Sequence, residues 1–92
     1  MLIDLPFTFA QSQVRDSLKT VLDKSTNDRQ KVDAMNALAY EYYDINDSLA
    51  FIYATDALQL SLDIEYASGI QYAYTLCGVG YFTSGQYVKA LE

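Results

Sequence analysis

The sequence predicts an all-α chain of four to five helices, built as antiparallel helix-turn-helix units. Three observations lead there. Apolar residues recur three and four apart along most of the chain, capping residues stand at the start of each such stretch, and a pattern near residue 35 returns 39 to 40 residues later. Stretches that alternate apolar and polar residues as a strand would are short.

Each element follows from its own residues. Residues 1–11 read as an irregular arm or as the remnant of a signal peptide, because Leu5 to Gln11 has an apolar run with a small residue, Ala10, but no basic leader and an interrupting Asp4. Residues 12–92 read as one helical repeat domain. Ser12 is placed to cap a first helix whose Val14, Leu18, Val21 and Leu22 form one apolar stripe, ending near Lys24. Asn27 and Gln30 have capping-box spacing, and Val32, Met35, Leu38, Ala39 and Tyr42 then mark a second helix from Asp28 to Tyr43. After the turn Asp44-Ile45-Asn46-Asp47, Asn46 caps a third helix that carries Leu49, Ala50, Tyr53, Ala54, Ala57 and Leu58 to about Ile64. Ser68 with Gln71 repeats the capping spacing for a fourth helix through Ile70, Ala73, Tyr74, Cys77, Gly78 and Tyr81, and Ser84-Gly85 is placed to stop it. A fifth helix is expected from Gln86.

Composition narrows the chemistry. The 92 residues include twelve Asp and Glu, six Lys and Arg, no His, one Cys and nine Tyr. That set lacks a His-dependent triad, a zinc cluster, an intrachain disulfide and a Cys–His pair, so the chain is read as a non-enzyme without cofactor or metal. Charge is divided along the chain: Arg15, Lys19, Lys24, Arg29 and Lys31 precede Val32, and no basic residue follows until Lys89. Between them lie only acids, among them Asp33, Glu41, Asp44, Asp47, Asp56, Asp63 and Glu65, which is the wrong sign for a surface that tracks phosphates. Tyr66 to Val88 carries no formal charge, but Ser68, Gln71, Thr75, Thr83 and Gln86 interrupt it, so it reads as packed helix and not as a membrane span. Cys77 lies on the packed stripe and reads as an inert buried thiol.

Met35-x-x-Leu38-Ala39-x-x-Tyr42 aligns with Tyr74-x-x-Cys77-Gly78-x-x-Tyr81, and Ala50 with Ala90. In these residues, and in Gly78 to Glu92 most closely, the chain resembles the tetratricopeptide repeat family over about residues 28–92. Two features depart from that family's pattern: the first inter-helix turn is shorter and lacks Gly, and Leu62 stands near the place of the closing Pro. The resemblance implies a right-handed superhelix in which small residues at Ala39, Gly78, Ala50, Ala57 and Ala90 let helices approach while Tyr42 and Tyr81 fill the gaps between pairs. It further implies a concave groove that binds a peptide or partner helix. By register the groove takes Asp33, Asn36, Tyr40, Tyr43 and Asp44 from the first repeat and Tyr72, Thr75, Val79, Phe82 and Thr83 from the second.

Such a groove is aromatic and mildly acidic and lacks the Lys and Arg with which relatives clamp a terminal carboxylate, so a hydrophobic or basic partner is expected. The second helix of the second repeat extends only about six residues, which is expected to leave an apolar face on helix four and to make this chain self-associate as a homo-oligomer. The function expected is a protein-interaction module of bacterial style. The alternative is the N-terminal input segment of a larger signalling protein, such as a sensor kinase or transcriptional regulator. The sequence leaves the compartment open, with the cytoplasm as the default and the periplasm if residues 1–11 are a leader remnant.

Overall fold

In the computed structural model the described residues are 4–83, with side chains described for 10–78, and all of them fall into four helices and their short connections: α1 (Asp4–Lys24), α2 (Asp28–Tyr42), α3 (Asp47–Asp63) and α4 (Ala67–Thr83). The all-α expectation holds among these residues. Ser84-Gly85, the fifth helix, Ala90 and the side chain of Tyr81 lie outside them.

α1 begins eight residues before Ser12, so residues 4–11 are helical where the sequence suggested an irregular arm. Pro6 does not prevent this. It occupies the first turn, whose N–H groups have no helical acceptor in any case. The next two starts match the caps read from sequence. Asn27 Oδ1 accepts the Gln30 N–H at 3.1 Å, and Asn46 Oδ1 accepts the Leu49 N–H at 3.1 Å. The Gln30 side chain does not close the box directly. Ser25 stands between, its Oγ accepting the Asn27 N–H at 3.1 Å and donating to Gln30 Oε1 at 2.9 Å.

α4 starts at Ala67, one residue before its expected cap, Ser68. The chain enters it through the end of α3. Glu65 takes a left-handed φ of 57°, its N–H donates to the Leu62 carbonyl at 3.2 Å, and the Tyr66 N–H donates to the Ser61 carbonyl at 2.8 Å. These two bonds make a Schellman motif with Glu where Gly is usual.

Helix boundaries recur in one frame. α1 ends at Lys24 and α3 at Asp63, α2 starts at Asp28 and α4 at Ala67, and both intervals are 39 residues. Connections of three or four residues make successive helices antiparallel. α2 lies at the centre and touches the other three. Its Val32 and Met35 pack with Ala57 of α3 and Ala73 of α4, and Leu22 of α1 joins this cluster. Ala39, Ala54 and Cys77 form a second cluster, with Leu76 and Phe51 against it.

Small residues therefore do mediate close packing, but the tightest approach is at Gly69 and not at Gly78. A Cβ on Gly69 would lie 2.6 Å from Val32 Cγ1 and 2.8 Å from Tyr66 Cδ2, whereas one on Gly78 meets nothing within 4 Å among the described residues.

α1 is held differently from the rest. None of its described side chains is fully buried. Its cations instead cover an aromatic pair: Tyr42 stacks on Tyr53 with ring centroids 5.9 Å apart and planes 11° from parallel, and Arg15 Cζ and Lys19 Nζ sit 5.6 and 5.5 Å from the Tyr42 centroid. The Tyr42 phenol beside it holds the Lys19 ammonium above its ordinary pKa.

Candidate functional site

α2 and α4 are brought together at their N-terminal halves by Gly69, and toward their C-terminal halves tyrosines stand between them. Tyr40 and Tyr43 from α2 and its end, with Tyr72, Thr75 and Leu76 from α4, line a groove of about 260 Å³. Four of these five are residues that the resemblance, carried over in register, assigned to a groove. Leu76 was not among them, although it follows Tyr72 by one turn. Tyr40 is 60 % exposed and Tyr72 48 %, so both rings offer much of their surface to a ligand. A shallower depression continues the groove along α4 past Ser68 and Gln71. The Thr75 hydroxyl is already bonded to the Gln71 carbonyl at 3.0 Å.

The remaining predicted residues are placed elsewhere. Asn36 is 3 % exposed, and its Nδ2 donates to the Gly69 carbonyl at 3.3 Å, a bond between α2 and α4 that helps set their spacing. Its Oδ1 is buried without a hydrogen-bond partner. Asp33 accepts from the Tyr66 hydroxyl at 2.9 Å and borders the opposite side of α2, facing α1. Arg29 covers the same ring, its Cζ 5.1 Å from the Tyr66 centroid. Asp44 is exposed in the turn after α2, outside the lining. Val79, Phe82 and Thr83 are on α4 beyond the side chains described.

The chemistry of the groove is that of contact. Its lining presents three phenols, a hydroxyl and a Leu, with no charged group. Glu41 and Asp44 flank Tyr40 and Tyr43 in sequence, and the nearest basic residue along α2 is Lys31. Cys77 is buried beside Ala39 and Ala54, and burial pushes its thiol above the ordinary pKa, which disfavours the reactive thiolate. Among the described residues no group of three or more His, Cys, Asp or Glu is placed to hold a metal ion, and no helix is long and apolar enough to cross a membrane. Comparison with protein-family models, with curated proteins and with solved structures finds no significant match to this chain.

Proposed function

We propose that this chain is a non-catalytic helical-repeat module, of the tetratricopeptide type that its sequence resembles, which receives a peptide or partner helix between α2 and α4. The observation that carries the reading is the convergence of Tyr40, Tyr43, Tyr72 and Thr75, taken from two stretches one repeat apart, on one apolar groove. At about 260 Å³ the groove is smaller than most small-molecule pockets. It has room for one or two side chains of a segment that continues along the helices. Exposed tyrosines give large contact area at low entropy cost, and the acids of the surrounding chain favour a ligand that carries Lys or Arg. Binding of cations to tyrosine faces already occurs within the molecule at Tyr42 and Tyr66.

The test is a peptide array whose members combine Leu or Phe with Lys or Arg, paired with copies in which Glu replaces the basic residues. Basic members are expected to bind and Glu members to fail. Tyr40→Ala and Tyr72→Ala are each expected to weaken the best binder by about tenfold or more. Equal binding of both sets, or affinity unchanged in both variants, overturns the reading.

A further inference from the structure

The 39-residue frame relates α3 and α4 to α1 and α2, and it exposes a vacancy. On α3 and α4 rests α2, through Val32 and Met35 against Ala57 and Ala73 and through Asn36 on Gly69. Moved back by one frame, Gly69, Ala73 and Leu76 become Gln30, Ala34 and Ala37, while Ala57 and Leu60 become Leu18 and Val21. Those five residues, with Asp33, line a cleft of about 430 Å³ between α1 and α2. The cleft is thus the counterpart of the seat that α2 occupies one frame later. Among the described residues no helix fills it, and Val21 is 43 % exposed at its edge.

The matching helix face lies at the other end of the molecule. α4 stands in the frame where α2 stands, with Tyr74 at the position of Met35. Met35 is 8 % exposed under its neighbours, whereas Tyr74 is 59 % exposed. We propose that α4 of one copy of this chain docks into the α1–α2 cleft of a second copy, Tyr74 toward α1, so that copies join head to tail.

The balance of charge at the two turns favours this arrangement over a symmetric one. Around the α1–α2 turn Lys24, Arg29 and Lys31 outnumber Asp23 and Asp28 by one charge, whereas the α3–α4 turn carries only Asp63 and Glu65. Within one molecule these two turns lie on the same edge, since Arg29 and Asp33 both meet Tyr66. Docking in the same frame sets the acidic α3–α4 turn of one copy beside the net-positive α1–α2 turn of the next. Pairing two α3–α4 turns instead sets Asp63 and Glu65 of one copy against the same acids of the other. An interface between unlike faces leaves each pair with one free cleft and one free α4, so assembly continues.

The experiment is sedimentation of the full chain from low to high micromolar concentration. Average mass is expected to rise with concentration and to fall back as ionic strength is raised. Val21→Glu blocks the cleft and Tyr74→Glu blocks the face, both at exposed positions, and each alone is expected to weaken association at least tenfold. Mixed in equal amounts, the two variants retain one intact cleft and one intact face, so the mixture is expected to form a one-to-one dimer and nothing larger. Should circular dichroism show either variant to have lost helix, Val21→Ser and Tyr74→Ser replace them. A wild-type chain that stays monomeric overturns the proposal and leaves the cleft to a helix of another protein. Variants that associate like the wild type, or folded variants whose mixture stays monomeric, overturn it as well. The residues altered are not those of the tyrosine groove, so this test and the peptide test fail independently.

Discussion

The Tyr66 hydroxyl donates to Asp33 across 33 residues of sequence, joining the start of α4 to the face of α2 that looks toward α1. The bond is exposed and charge-assisted, and the Arg29 guanidinium lies over the same ring. Tyr66→Phe keeps the ring and its cation and removes only the bond, so it is expected to lower unfolding free energy by about 1 kcal/mol in urea titrations. Asp33→Ala removes the same bond from the other side. The double variant is therefore expected to cost clearly less than the two single changes added together, and strict additivity would show that the bond contributes nothing.

Glu65 is the described non-glycine residue with positive φ, and it ends α3 in a position that favours Gly. Glu65→Gly is expected to stabilise the chain by up to about 1 kcal/mol, which raises the thermal midpoint by about 4–8 °C for a domain of this size. Glu65→Asn is expected to fall between the two, and Glu65→Val, β-branched in a left-handed conformation, to lower the midpoint.

Gly69 and Gly78 are both helical glycines of α4, yet opposite outcomes are expected from the same substitution. Gly69→Ala drives a methyl group to 2.6 Å from Val32 Cγ1 and 3.2 Å from Ser61 Cβ, and separating α2 from α4 to relieve this is expected to cost about 1–3 kcal/mol. Gly78→Ala meets nothing within 4 Å among the described residues. There the gain in helix propensity, up to about 1 kcal/mol, is expected to prevail. Thermal unfolding of the two variants side by side decides the matter.

Cys77 is a buried free thiol whose folded pKa is raised by desolvation. A raised pKa for an acid means that the unfolded chain gives up the proton first. The stability tied to this group is therefore complete below the unfolded thiol pKa and declines as pH rises from there through the folded value. Cys77→Ala is expected to lose stability more slowly than the wild type over that alkaline range. In the wild type, a thiol reagent is expected to react slowly in buffer and rapidly in denaturant.

What the sequence made legible was decided by chemistry within a few residues. Asn27 and Asn46 act on N–H groups three positions ahead, and the starts of α2 and α3 follow from them alone. The start of α4 was misplaced by two residues, with Tyr66 and not Ser68 in the cap position, because it is set by the end of α3, where Glu65 takes a conformation that its side chain does not advertise. The start of α1 was misplaced because Ser12 was read as its cap, while Asp4 and Pro6, residue types tolerated in a first helical turn, stand at the actual start.

The groove shows the same division. Tyr40, Tyr43, Tyr72 and Thr75 were named from the resemblance, by carrying the family's groove positions over in register, and a register fixes the direction in which a helical side chain leaves the axis. Register says nothing about how closely two helices approach. Gly69 admits Val32 and draws Asn36 into the contact between α2 and α4, so that a residue predicted to meet a ligand meets a carbonyl of its own chain. Asp33 likewise looks toward α1 because the Tyr66 hydroxyl reaches it there.

The two three-residue connections and the constant 39-residue interval determine which changes of length the chain tolerates. Adding one residue inside a helix turns everything after it by about 100°, which would carry tyrosines out of the groove and alanines out of the core. Inserting a second copy of residues 28–66 after Tyr66 turns nothing, since each face returns to its place one frame later. The molecule is in that sense a ruled strip, to be lengthened or shortened in whole divisions.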